Sequence, residues 1–476
     1  MLQVKKNQVI DERGDFIYLR GMCIGGWMNM ENNINGHPGD EHGLRRVMAD
    51  MLGKSKAQFF FDRLLDYFFA EADVVFLKEC GANTVRLPLN YRHFESDAEP
   101  FHYLEPGFRR LDQAVQWCAK HGMYVILDLH AVQGFQNSDW HCDNSSRHTF
   151  FWQERQYQDR FVALWEEFAR RYKGNATIAG YNVMNEPIVN APAGRFTRAY
   201  KPDWETVNRV YRRVVGAIRN IDPAHIIFLE GDCYSTQFDG LEAPFAENLV
   251  YSSHNYTRAG HGPGSYPGVL DGEHWDKEKL RQLFANHSGT RYAQKYNVPL
   301  WIGEFGARMD GPQPEWSDRC RSLDDQLDIF EEFDAHWTAW TFKDVVRHGW
   351  AILDPESEYV QRIAPILKAK RALGLETWWS GGQKDQPFDE VLNKAIDYIE
   401  KTIGDPEIDH DANKVHMGQA LLGGYVPSLM LPTFARLFKS MSENDLDRVL
   451  QSFAFKNCKI REDKTAVLKK HLHRKG

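Results

Sequence analysis

Short, nearly all-apolar runs rich in Val, Ile, Leu and aromatic residues recur along the chain, and amphipathic stretches separate them. The runs read as strands: YLRGMCIG (18–25), ANTVRLPL (82–89), MYVILDLH (123–130), IAGYNVMNEP (178–187), IIFLEGD (226–232), LVYSSHNY (249–256), PLWIGEFG (299–306) and TAWTFKD (338–344). Helical periodicity fills the gaps at 62–81, 107–122, 150–174, 203–221 and 275–296. Gly81, Gly122 and Gly174 stand where helix ends favour a residue tolerant of positive φ. Strands without polar alternation are covered on both faces, which is the habit of a parallel sheet dressed with helices. Eight such units predict closure into a (β/α)8 barrel. An open doubly wound sheet is the alternative, but it usually carries a glycine-rich phosphate loop after its first strand, and GMCIGGWMNM lacks that spacing.

Two regions exceed a minimal barrel. Residues 26–66 form a long insertion after the first strand, on the face where barrels carry chemistry. Beyond Gly381–Gly382 the pattern turns mainly helical, with Ser442 as a candidate cap. The predicted organisation is a catalytic barrel over 1–379 and a helical C-terminal extension over 380–476, packed on it, whose basic end KTAVLKKHLHRKG reads as a solvated tail.

Composition narrows the function. A net charge of −8 gives no overall basic balance for gripping phosphates, so nucleic acid is not an expected partner. No segment is long and apolar enough to span a bilayer, and the amino terminus lacks a signal-peptide run, so an intracellular, membrane-free protein is expected. Seven scattered Cys show no metal or redox spacing and read as reduced thiols. HCDNSSRH (141–148) matches no standard metal site and is assigned to a loop; no metal or cofactor is expected. Aromatic residues make up 13% of the chain, a composition that leans toward stacking on sugar rings.

The carboxyl ends of barrel strands are where active sites form. There the sequence places Arg86, His130, Asn185, Glu186, His254, Tyr256, Glu304 and Trp340. Taken singly, Glu186 also reads as a solvated strand end, His130 as a satisfied core histidine and Trp340 as core packing. Arg86 in a barrel interior demands a carboxylate partner, and Glu304, set in WIGEFG, is the candidate. Two carboxylates in one pocket with a cation beside one suit glycosidic cleavage, which needs a proton for the leaving oxygen and negative charge under the anomeric carbon.

In NTVRLP, LDLH, NVMNEP, HNY, WIGEFG and AWTFKD, in that order from about residue 18 to 345, the chain resembles glycoside hydrolase family 5, retaining β-glycosidases of the (β/α)8 clan. The resemblance implies Glu186 as acid/base, Glu304 as nucleophile, and Asn185 on the sugar 2-hydroxyl. It further implies that Arg86 and Tyr256 hold Glu304, that His254 sits near Glu186, and that His130 and Trp340 line the sugar subsite. A carboxyl separation of about 5 Å follows from the retaining mechanism. LDLHAVQGFQNSDWH (127–141) is similar to the family's exo-β-1,3-glucanases and related β-glucosidases, so an exo-acting enzyme on small β-linked oligosaccharides or glycosides is expected. An endo-β-1,4-glucanase is the alternative, with a transglycosylase or a non-catalytic carbohydrate-binding protein more remote.

Overall fold

The computed structural model describes residues 1–190, 200–262, 264–309, 311, 313–345, 347–375 and 387–473. Eight parallel strands close into a barrel: β1 (Arg20–Cys23), β2 (Thr84–Asn90), β3 (Tyr124–Ala131), β4 (Ile178–Asn182), β5 (Ile226–Glu230), β6 (Leu249–His254), β7 (Leu300–Glu304) and β8 (His336–Ala339). Each pairs with its sequence neighbours, and β8 pairs with β1 to complete the ring. Helices Glu105–Lys120, Arg155–Tyr172 and Trp204–Ile221 pack outside, each burying its apolar stripe. An N-terminal hairpin, Gln3–Lys5 with Gln8–Ile10, brings Leu2 and Val9 into one apolar cluster with Ile126, Phe228 and Trp301 at the end of the barrel away from the site.

Four expected elements differ in detail. Helix 62–81 is two helices, Lys54–Phe68 and Glu71–Glu79, and 275–296 is likewise split into Lys277–Ala285 and Ser288–Tyr296. The fourth strand stops at Asn182, so Asn185 and Glu186 stand on the loop beyond it. The eighth runs over 336–339 rather than 338–344, because Lys343–Asp344 pairs instead with Ala351–Leu353 in a separate sheet.

The insertion after β1 is real: a short helix Asn32–Asn35, then Glu41–Leu52, capped by Asp40 accepting from the Gly43 amide at 2.7 Å. It packs against the C-terminal region, where Phe60 meets Phe438 at 5.0 Å and Lys370 Nζ donates to the carbonyls of Asn32 and His37, both at 2.8 Å. The expected boundary at 379/380 lies outside the described residues. Past it, helices Pro387–Ile403, His410–Ala420, Val426–Arg436, Glu443–Leu450 and Glu462–Leu472 follow, with a π-helical turn at Leu421–Tyr425. Ser442 caps as expected, accepting from the Asp445 amide at 3.2 Å. The basic end is not a solvated tail: Glu462–Leu472 buries Lys464, Leu468, His471 and Leu472 against the barrel. Lys and His at spaced positions hid an inward face, because Lys464 reaches the His348 carbonyl and His471 meets Asp324 at 2.7 Å. Among the described residues no helix is long and apolar enough to cross a membrane.

Candidate active site

At the carboxyl end of the barrel lies a cavity of about 680 Å³, lined in part by Glu31, His130, His141, Glu186, His254, Tyr256, Glu304 and Trp340. Arg86 and Asn185 lie fully buried and bonded to this set. All eight side chains expected at the strand ends therefore meet in one place.

Glu304 ends β7 and is fixed from two sides. Arg86 Nη1 donates to Oε1 at 2.5 Å, and Tyr256 Oη donates to Oε2 at 2.9 Å. Its glycine neighbours are spatial requirements. A Cβ at Gly303 would stand 2.8 Å from Ser252 Oγ and 3.2 Å from His254 Nε2, and one at Gly306 would stand 2.5 Å from the Trp340 carbonyl. A charge as costly to bury as Arg86 is compensated fully: Nη2 lies 3.0 Å from Asp128 and 3.4 Å from Glu230, and also donates to Asn185 Oδ1 at 2.7 Å. Its guanidinium stands 5.6 Å from the Trp301 ring.

Glu186 is held differently. Its φ of 44° is a left-handed conformation costly for a residue with a Cβ, held by its amide donating to Glu230 Oε2 at 2.8 Å. Its carboxylate accepts from His254 Nδ1 at 2.6 Å and lies 3.1 Å from His141 Nε2. Burial favours the neutral acid, but the charges of His254 and His141 outweigh it and hold the carboxyl below its ordinary value. Burial opposes the charge on His254 too, and the carboxylates Glu304, Glu230 and Glu186 raise it well above the usual imidazole range. An oxygen of Glu186 and an oxygen of Glu304 lie within 4.8 Å of each other.

The wall formed by His130 and Trp340 is equally ordered. His130 stacks on Trp340, with ring centroids 5.5 Å apart and planes 8° from parallel. Burial would lower the His130 imidazolium, yet Asp128 at 2.8 Å and Glu31 at 3.4 Å push it up to about 10. Asn185 Nδ2 stands 3.3 Å from His130 Nε2.

Sequence reasoning missed Glu230, Asp128 and Glu31, and reached His141 only as the end of the 127–141 stretch, whose loop is expected to help close the cleft. Glu230 closes β5 in LEGD, a strand-end carboxylate by the same reading that found Glu304. Asp128 lies two residues before His130 and so on the same side of β3. Glu31 and His141 sit on loops, and nothing local in the sequence marks where those loops fold.

Glu186, His254 and Glu304 are close enough together to offer ligand atoms to a metal. The electrostatics do not fit one: His254 is held in its charged form and Arg86 already occupies Glu304.

A family model described as Cellulase (glycosyl hydrolase family 5) matches residues 65–345. The chain is 34% identical over 482 residues to a β-xylosidase of Phanerodontia chrysosporium, covering 98% of this chain and 97% of that protein. It is 26% identical over 388 residues to a probable glucan 1,3-β-glucosidase A of Aspergillus fumigatus, covering 73% and 89% respectively. A solved endogalactoceramidase superposes with a TM-score of 0.52 at 17% identity over 72% of this chain and 75% of that one, a likeness of fold.

Proposed function

The chain belongs to the cellulase family, glycosyl hydrolase family 5, and is a glycoside hydrolase; from that premise we propose that it is a retaining, exo-acting β-glycosidase of small β-linked oligosaccharides or glycosides. The observation that carries the retaining reading is the approach of the Glu186 and Glu304 oxygens to within 4.8 Å. Enzymes that invert hold their carboxyls roughly 6.5–9.5 Å apart, to fit a water between carboxylate and sugar.

In the first step an oxygen of Glu304 attacks the anomeric carbon. The bond to the leaving oxygen breaks, and that oxygen takes a proton from Glu186, drawn from the 2.6 Å hydrogen bond that Glu186 shares with His254. In the second step Glu186 accepts a proton from water, the water oxygen bonds to the anomeric carbon, and the electron pair returns to Glu304. Two inversions leave the β configuration. Arg86 and Tyr256 keep Glu304 aimed. As the bond from Glu304 to the anomeric carbon forms and Glu304 loses its charge, His254 loses one of the carboxylate charges that raise it and yields its proton through Glu186 to the leaving oxygen, which leaves Glu186 ionised to take the proton from water.

Asn185 reaches the sugar 2-hydroxyl and Trp340 with His130 forms the floor. Glu31 supports exo action: it is 1% exposed, it faces the cavity, and its Oε2 has no hydrogen-bond partner among the described residues. A buried carboxylate oxygen left open in a sugar pocket is matched by the hydroxyls of a terminal residue. Trp140 and His141 also line the cavity, tied to the insertion by Asn29 Nδ2 donating to the His141 carbonyl at 3.0 Å.

Proton NMR of the first-formed product from aryl β-glucoside and β-xyloside tests the reading; the xyloside enters because of the β-xylosidase relative. Release of the β-anomer one sugar at a time is expected. First appearance of the α-anomer would remove Glu304 as nucleophile, and mid-chain cuts in oligosaccharides would replace exo by endo action.

A further inference from the structure

The C-terminal helical region does more than buttress the barrel. It supplies a wall of the catalytic cavity: Leu392, Val415, Gly418, Gln419, Leu422 and Gly423 all line it. Helix His410–Ala420 has no buried residue along its length, so packing against the barrel core does not account for its apolar positions. The π-helical turn Leu421–Tyr425 follows without a break, and such turns re-aim side chains where function needs them. Here the turn sets Leu422 and Gly423 against the loop that carries His141. A Cβ at Gly423 would stand 3.9 Å from Trp140 Cδ1, and Arg147 Nη1 donates to the Gln419 carbonyl at 3.1 Å. The apolar character also continues outward. Val391, Tyr398, Ile399, Ile403, Val415, Tyr425 and Leu429 are all exposed, while only three other large hydrophobics are so exposed elsewhere among the described residues.

Around Glu186 and Glu304 the lining is ionisable or hydrogen-bonding, whereas on this wall Leu392, Val415 and Leu422 set hydrocarbon between the polar groups Asp389, Asp411, Lys414 and Gln419. We propose that these three side chains, with Trp140, form a subsite for an apolar aglycone, so that the preferred substrates are β-glycosides of hydrophobic alcohols. The inference rests on the glycosidase reading above and names its substrate class. Lys414, Asp411 and Asp389 line the same cavity and keep it wetted.

The test is a chain-length series of alkyl β-glycosides, methyl to octyl, of whichever sugar is cleaved best. For the wild type, kcat/KM rises at least tenfold from methyl to octyl and exceeds that for the disaccharide of the same sugar. In Val415→Asp and Leu422→Asp, each confirmed folded by circular dichroism, the octyl-to-methyl ratio falls about tenfold. A flat series in the wild type, a preference for the disaccharide, or an unchanged ratio in both variants would overturn the subsite. Calorimetric binding of octyl against methyl β-thioglycoside reads the same ratio without turnover. Chain-length-dependent binding with no hydrolysis of any glycoside would sink the glycosidase reading and leave the subsite standing.

Discussion

Arg86 Nη1 lies 2.5 Å from Glu304 Oε1 in a setting where the guanidinium is wholly buried and also faces Asp128 and Glu230. Three carboxylates around one cation is a balanced arrangement only while the cation remains. Arg86→Ala leaves them facing one another without solvent, and the expected loss is about 3–5 kcal/mol of stability together with turnover. Urea denaturation of the purified variant measures it; a midpoint equal to wild type would mean water or protons replace the guanidinium.

Removing the proposed nucleophile separates chemistry from fold. Glu304→Gln keeps the shape and the Tyr256 contact, so thermal unfolding stays near wild type while kcat on an aryl β-glycoside drops by roughly four orders of magnitude. Glu186→Ala is expected to retain attack on a glycoside with a good leaving group and to stall at the covalent stage. Added azide then restores turnover and yields the β-glycosyl azide; recovery of an α-azide would contradict the assignment.

His141 tunes Glu186. Burial pushes that carboxyl up, and His254 and His141 hold it down. His141→Asn removes one opposing charge, so the proton shared by Glu186 and His254 is held more tightly and the alkaline limb of the kcat/KM profile moves up by about one pH unit. A limb that stays put would show that the His141 charge does not reach the reacting groups.

Acid stability follows from another histidine. His336 is buried and accepts from the Leu19 amide at 3.1 Å, a bond only the neutral ring can make, and burial lowers it from 6.5 to about 3. Its stabilising contribution is present above pH 6.5 and is lost as pH falls toward 3, because the unfolded chain takes up the proton first. His130, raised to about 10, has the opposite sign: its contribution is full below pH 6.5 and fades toward pH 10. Melting temperatures from pH 7 to 4 in wild type and His336→Gln test the first, the variant being expected to start lower and fall less.

The barrel was legible because its strands are continuous apolar runs, most of them ending in polar or ionisable residues, a pattern that survives without tertiary knowledge. Trp340 was found although the strand limits were misplaced, since AWTFKD carries its signal in composition while Lys343 and Asp344 pair elsewhere. The site's other half was not legible. Glu31 and His141 arrive on loops whose geometry comes from long-range bonds such as Asp143 to the His42 amide. The cavity wall at Leu392, Val415 and Leu422 joins segments hundreds of residues from Glu186, and helical periodicity says only that a face is apolar, not what it covers.

The strand Cys458–Ile460 pairs with Ala351–Leu353, which pairs in turn with Lys343–Asp344, only three residues past Trp340. Lys343 is further pinned by the carbonyls of Phe68 and Phe453 and by Asp73. During synthesis the segment just past Trp340 therefore waits for a strand made more than a hundred positions later. A chain truncated between the two would carry Glu186 and Glu304 while lacking the strand that completes the small sheet beside Trp340.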